Sequence, residues 1–190
     1  TYVNHVMTLI NSIRIIGGRW RGRKIHFPEN ASIRPTLDQI RETLFNWLQP
    51  TIQGARCLDM FAGSGALGIE ALSRGASHVA FIDQDDKALS HIKQNLATLC
   101  AENYDCLRAS MPQGLHSLKN EAYDIIFLDP PFASPLLTET LTALQTSALL
   151  KPGGMVYFET DVDHLLPLNT WEIYRLKKTK RIQYGLLSAT

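Results

Sequence analysis

Three acidic residues stand where apolar runs give way to loops, and their neighbours indicate what chemistry each could do. Asp59 opens the stretch Asp59-Met60-Phe61-Ala62-Gly63-Ser64-Gly65-Ala66-Leu67-Gly68. Gly63, Gly65 and Gly68 match the pattern G-x-G-x-x-G, which carries meaning only when a strand precedes it and a helix follows. Glycines there let the backbone turn sharply and come close to a ligand. Asp83 ends the next apolar run, 18 residues past Gly65, near the offset of about 20 at which an acid meets a ribose. That spacing fits a dinucleotide and S-adenosylmethionine equally. Asp59 separates them: a carboxylate is unfavourable beside a pyrophosphate and favourable beside the ammonium and sulfonium groups of S-adenosylmethionine. The expected cofactor is therefore S-adenosylmethionine, held by Asp59, Phe61, Ala62, Gly63, Ser64, Gly65 and Asp83. A nicotinamide cofactor is the rival, and an empty turn capped by Asp59 is the bland alternative.

Asp129 opens the third segment, Asp129-Pro130-Pro131-Phe132, directly after the run Ile125-Ile126-Phe127-Leu128. Two prolines fix the backbone and remove two donors, so carbonyls can face a substrate without internal competition. Asp129 adds an acceptor and Phe132 a flat apolar face. This set suits a planar base with an exocyclic amine, whose lone pair is delocalised into the ring. Accepting its hydrogens at Asp129 and at the Pro130 carbonyl would orient that lone pair toward a methyl donor. The base would have to be unstacked or flipped to reach it. Asp129, Pro130, Pro131 and Phe132 are the expected catalytic residues; a plain proline loop is the competing reading. Ser110-Met111 follows another apolar run, at the place of an adenine. Ser110 stands where many methyltransferases have an acid or Asn, so recognition would rest on the Met111 backbone amide, with Met111 as simple core the alternative.

These segments need a scaffold, and the hydrophobic rhythm supplies one. Strands are expected at Arg56–Met60, His78–Asp83, Asp105–Ala109, Ala122–Asp129 and Gly154–Glu159, with helices at about 66–74, 85–100, 111–119 and 135–147. Short, nearly all-apolar strands suit a parallel sheet covered on both faces. Alternating βα units imply a doubly wound α/β fold. Trp171–Leu176 and Arg181–Leu187 flank a basic turn and read as an antiparallel hairpin at the sheet edge. Upstream, residues 1–12 read as a loose leader. Ile13–Ile16, Gly17-Gly18 and a run to Phe27 read as a β-hairpin. Thr36 with Gln39 forms a capping-box pattern opening a helix whose apolar face is Leu37, Ile40, Leu44, Phe45 and Leu48, ending near Pro50. Arg41 and Glu42 read as an ordinary solvated pair. The expected organisation is an N-terminal extension over residues 1–49 and a main domain over 50–190.

Length and composition set the bounds. A chain of 190 residues, 45% apolar and 19% charged, is ordinary for one globular domain. No run of about 18 apolar residues suggests a membrane span, and residues 1–27 show no secretory signal pattern. Cys57, Cys100 and Cys106 are odd in number and widely spaced, which argues for reduced cysteines, a cytoplasmic location and no metal. The net charge of +1 hides segregation. Residues 1–27 carry Arg14, Arg19, Arg21, Arg23 and Lys24 with no acid, and residues 171–190 carry five bases against Glu172. The middle is acidic. Basic ends suggest an anionic partner approached by the ends, although solvated basic hairpins would look the same.

Taken together, Ile15-Ile16-Gly17-Gly18-x-Trp20-Arg21-Gly22-Arg23, Arg34-Pro35-Thr36, Arg41-Glu42-x-Leu44-Phe45-Asn46-x-Leu48, the Asp59–Gly68 loop and Asp129–Phe132 resemble the RsmD-type bacterial methyltransferases. The glycine loop and Asp-Pro-Pro-Phe mark amino-methyltransferases in general; the N-terminal block is the narrower signature. The resemblance implies a class I methyltransferase fold, Rossmann-like, with a seven-stranded sheet whose last strand is antiparallel. It implies methylation of the exocyclic N2 amine of a guanine in small-subunit (16S) ribosomal RNA, on an assembled or assembling 30S particle. On this reading Arg19, Arg21, Arg23 and Lys24 meet phosphates and Trp20 stacks or packs. Thr36 lies on the cofactor side. A monomer is expected. The rivals are amine methylation of adenine or cytosine in DNA, and a non-catalytic rRNA-binding assembly factor.

Overall fold

The computed structural model describes residues 10–28, 38–118, 121–167 and 169–189. Among these, the order is β1 (Ile10–Arg14), β2 (Lys24–Pro28), α1 (Asp38–Ile52), β3 (Arg56–Asp59), α2 (Ala66–Ser73), β4 (His78–Asp83), α3 (Asp86–Thr98), β5 (Tyr104–Arg108), a 3-10 helix (Gln113–Leu118), β6 (Tyr123–Leu128), α4 (Leu136–Gln145), β7 (Leu150–Asp161), β8 (Trp171–Lys178) and β9 (Ile182–Ala189). The main sheet runs β5-β4-β3-β6-β7-β9-β8. The strands from β3 to β7 are parallel, and β9 inserts antiparallel between β7 and β8.

Successive residues of the central strands feed opposite faces, the period-two rule of an extended chain. Cys57, Val79, Phe81, Ile125 and Phe127 pack with α1, α2 and α3 on one face. Leu58, Ala80, Ile82, Ile126 and Leu128 pack with α4 and Leu118 on the other. Both faces are therefore dry, as continuous apolar strands require. The winding reverses between β3 and β6, so a crevice opens at their carboxyl ends, where α/β sheets bind ligands.

β1 and β2 form a separate antiparallel pair. Its inward residues Ile13, Ile15, Trp20, Ile25 and Phe27 join the first-face core. Polar side chains of the main domain complete the attachment. Glu70, fully buried, accepts from the Ile16 and Gly17 amides at 2.9 and 2.8 Å. Ser73 Oγ accepts from the Trp20 amide at 3.0 Å and donates to the Gly17 carbonyl at 2.6 Å. Asn95 clamps both main-chain groups of His26, at 2.9 and 2.8 Å.

Several expectations change in detail. Ile10–Ser12 belong to β1, not to a loose leader, because they pair with His26–Pro28. Arg41 is not a solvated ion: it is fully buried, donating to the Arg14 carbonyl at 2.9 Å and to Asp38 at 2.6 Å, with Glu70 3.6 Å away. Glu42 is exposed. α1 continues past Pro50 to Ile52, burying Ile52. The segment expected as a helix at 111–119 is a 3-10 turn, pressed so close to β5 that a side chain at Gly114 would meet Ala109 Cβ at 2.6 Å. β7 reaches back to Leu150, its register with β6 shifting between Tyr123 and Ile125 so that Pro152-Gly153 is absorbed rather than ending the strand. Thr36 and Leu37 lie outside the described residues.

Candidate active site

The glycine loop joins β3 to α2. Gly65 is the helix N-cap, with φ 78°, a left-handed conformation that favours glycine. Gly65 has no side chain to cap α2; Ser64 Oγ accepts from the Ala66 amide at 3.3 Å, and from the strand Asp59 Oδ2 accepts from the Gly68 amide at 3.1 Å. Gly68 has a packing reason: a Cβ there would meet Phe81 Cε1 at 2.2 Å. Asp59 is 1% exposed. Burial raises its pKa to about 7, against the lowering effect of the Gly68 hydrogen bond and with help from the negative charge of Asp83. A carboxylate has about four acceptor positions, and one amide uses one of them. This buried acid, with another acid near it, gains from a cationic ligand and would be worsened by a diphosphate.

Asp83 ties the loop from the neighbouring strand. Its Oδ2 accepts from the Gly63 amide and its Oδ1 from the Asp85 amide, each at 2.9 Å. Asp85 in turn caps α3 through the Lys87 amide at 2.9 Å. Asp83 therefore fixes Gly63 beside the crevice and remains partly exposed itself. Phe61 is half-buried and Ala62 and Ser64 are buried. Ser110 is exposed, with its Oγ 3.4 Å from Gln84 Oε1. The Met111 side chain lies in the second-face core. Gln84, beside Asp83, escaped the sequence reading because amides carry no distinctive spacing.

The Asp129–Phe132 segment leaves β6, the strand beside β3. Asp59 is in register with Phe127, so Asp129 lies two residues beyond that level on the neighbouring strand. Pro130 is buried, Pro131 exposed, and Phe132 packs against the first-face core. The Ser134 hydroxyl donates to the Pro131 carbonyl at 2.6 Å, and the Ala133 amide donates to Asp161 Oδ2 at 3.2 Å. Ala133 has φ 55°, a left-handed conformation that costs a non-glycine on the order of 1 kcal/mol and clusters at functional sites. The Tyr157 hydroxyl donates to Glu159 at 3.1 Å, and burial together with the charges of Glu159 and Asp129 holds its pKa well above the ordinary value. Tyr157, Glu159 and Asp161 were missed in the sequence, although Glu159 ends an apolar strand just as Asp83 does.

The hairpin cations lie elsewhere. α2 runs back from the carboxyl end of β3 to Ser73, at the amino end of the sheet, and Arg19 donates from its backbone to the Ser73 carbonyl at 2.8 Å. Arg23 donates to the Thr98 carbonyl, at the end of α3, at 3.0 Å. Arg19, Arg21, Arg23 and Lys24 are exposed. Trp20 is 6% exposed, with the Arg19 guanidinium 4.2 Å from its ring, so packing is the role its position supports. Among the described residues no group of three His, Cys, Asp or Glu is placed to hold a metal. No described helix is long and apolar enough to cross a membrane.

The strand order, the antiparallel penultimate position of β9 and the Asp59 loop define a class I S-adenosylmethionine-dependent methyltransferase fold. Residues 13–188 match the family described as Conserved hypothetical protein 95, and the chain belongs to that family of RsmD-type methyltransferases. It is 44% identical, over 92% of its own length and 88% of the relative's, to ribosomal RNA small subunit methyltransferase D of Escherichia coli K12. The protein of the same description from Haemophilus influenzae is 40% identical over 92% of each chain. Among solved structures, yhhF from Escherichia coli superposes with a TM-score of 0.82 at 41% identity, covering 94% of this chain and 98% of that one. Fold and family imply use of S-adenosylmethionine, and the buried Asp59 and its loop suit that cationic group.

Proposed function

We propose that this chain transfers a methyl group from S-adenosylmethionine to the exocyclic N2 amine of a guanine in small-subunit (16S) ribosomal RNA, presented by an assembled or assembling 30S particle. The observation that carries the reading is the juxtaposition of β3 and β6. It sets a buried anion beneath a glycine loop next to Asp129-Pro130-Pro131-Phe132. The names of the curated relatives supply the RNA.

S-adenosylmethionine, when bound, supplies an electrophilic methyl on a sulfonium. Asp59 would meet its positive charge, the amides from Phe61 to Gly65 its carboxylate and ribose, Asp83 the ribose hydroxyls, and Ser110-Met111 the adenine. Thr36 would close on the same side. Asp129 accepts a hydrogen of the guanine amine and turns its lone pair toward the methyl group. The Pro131 carbonyl is already engaged by Ser134, which leaves the second acceptor role to the Pro130 carbonyl. Phe132 supports the ring. The amine becomes acidic as its bond to carbon forms, so the proton passes to solvent without a strong base. Residues 50–190 act as the transfer domain. Residues 1–49 form the extension, in which the β1–β2 hairpin faces RNA and its Arg19, Arg21, Arg23 and Lys24 meet RNA away from the target base.

The test is mass mapping of ribosomal RNA after small subunits from a strain lacking the enzyme are incubated with the protein and labelled donor. One methyl-bearing guanine is the expected product. Label on DNA or on no nucleic acid would refute the reading.

A further inference from the structure

Exposed cations gather at both ends of the main sheet, and only one of those ends carries the chemistry. The hairpin cations lie toward the amino end of the strands, because Gly17 and Trp20 are fastened to Glu70 and Ser73. The β8–β9 hairpin is oriented the other way. Lys178 pairs with Gln183, and Ile182 pairs with Asp161, the last residue of β7. The Arg181 carbonyl accepts from the Val162 amide at 2.9 Å. Asp161 in turn holds the Ala133 amide at 3.2 Å, one residue past Phe132. The turn Thr179-Lys180-Arg181 therefore sits on the same rim as the Asp129 segment. β7 and β9 lie between β6 and β8, so the separation is three strand spacings, or about 14 Å.

Lys177, Lys178, Lys180 and Arg181 are all exposed. Lys177 leans over the Trp47 ring at 6.0 Å. Lys178, Lys180 and Arg181 make no side-chain hydrogen bond or ion pair among the described residues. Asp161, whose Oδ2 accepts from the Ala133 amide, and Asp163 follow on the adjoining segment, and neither is ion-paired with these cations among the described residues. Along the same strand Tyr174, 49% exposed, carries Arg175 over its ring at 4.4 Å.

We propose that Lys178, Lys180 and Arg181 grip the RNA backbone beside the target nucleotide, and that this turn, on the rim of the active site, sets affinity for the substrate. The inference rests on the rRNA reading above. A base drawn out of its stack into the Asp129 crevice brings its flanking phosphates across this rim. Three exposed cations complement that charge, and each phosphate contact releases counterions on binding.

The experiment uses the full chain carrying Lys178→Gln, Lys180→Gln and Arg181→Gln, and tritium transfer to small subunits from a strain lacking the enzyme. At about 0.1 M salt, KM for the subunits is expected to rise about tenfold with kcat within about twofold. The salt slope of log kcat/KM should become shallower by about 2. S-adenosylmethionine affinity by calorimetry should not change; if the triple variant loses it through misfolding, Lys180→Glu alone carries the test, with a KM rise expected. Unchanged KM and slope would overturn the proposal while leaving the rRNA reading intact. No transfer by the unsubstituted protein would overturn both. Edge lysines also deter sheet-to-sheet pairing; a triple variant that aggregates with KM unchanged would assign them that role instead and refute this one.

Discussion

Cofactor affinity should depend on pH through Asp59, and the size of the effect follows from where that residue sits. Its carboxyl is 1% exposed, receives one backbone hydrogen bond at 3.1 Å and lies near Asp83; its pKa is raised to about 7. A cationic ligand stabilises the anion, so binding in the acid range must release the proton. With a pKa of about 7, about one molecule in eleven carries the anion at pH 6 and about ten in eleven at pH 8. If the anion is the binding form, affinity for S-adenosylmethionine falls about tenfold from pH 8 to pH 6, or about 1.4 kcal/mol. Calorimetry at pH 6 in two buffers of different ionisation enthalpy should count about one proton released per ligand bound. Asp59→Asn should bind weakly and lose the fall in affinity toward pH 6. Stability supplies the cross-check. An acid whose pKa is raised by folding contributes stability that is complete below about pH 4 and is lost as pH rises through about 7. The Asp59→Asn variant, free of ligand, should therefore be at least as stable as the parent at pH 8, since its amide oxygen can still accept from Gly68. Equal affinity at pH 6 and pH 8, with no proton released by the parent, would refute the assignment of Asp59 to the cationic end of the ligand.

Asp129→Ala should retain S-adenosylmethionine binding by calorimetry and lose transfer on the order of 10²-fold or more in a tritium assay on small subunits. Glu70→Ala leaves the Ile16 and Gly17 amides without their acceptor and removes the buried carboxylate that lies 2.7 Å from Arg74 and 3.6 Å from Arg41; denaturant unfolding should show a loss of about 3–5 kcal/mol. Gly18→Ala places a Cβ 1.9 Å from the Ser73 carbonyl oxygen at φ 77°, so proteolysis should cut the β1–β2 hairpin faster than in the parent. Limiting iodoacetamide should label exposed Cys100 first by peptide mass mapping, since Cys57 is buried and burial raises the Cys106 pKa to about 11.

How far the sequence could be read depended on whether a feature is written in local pattern or in distant contacts. β4 was legible to the residue because His78–Asp83 is one apolar run closed by an acid. Asp59, Asp83 and Asp129 were legible because each ends such a run, and the doubly wound topology places those ends together. Arg41 was misread because only Asp38, one turn back, is a local partner; the Arg14 carbonyl lies 27 residues back and Glu70 29 ahead. No periodicity records such a pairing. Glu70 itself sits in an apolar helix, where an unexplained acid is a signal that the local pattern cannot interpret.

The same limit bears on where the RNA runs. Charge counts along the chain give the two basic ends nearly the same weight. Register separates them, since Lys178 is tied through Gln183 and Asp161 to Ala133, whereas Arg19 is tied to the far end of α2. On the proposed path a nucleotide reaching Asp129 passes the first group and not the second. The hairpin can add affinity only through RNA farther along the molecule, beyond a β4 strand of six residues, or about 20 Å. A short RNA that spans only the target nucleotide and its flanks should therefore lose little affinity when Arg19 and Arg21 are replaced by Gln and much more when Lys178, Lys180 and Arg181 are. Small subunits should respond to both sets. Equal losses on the short RNA would mean that the path over the β8–β9 turn is wrong.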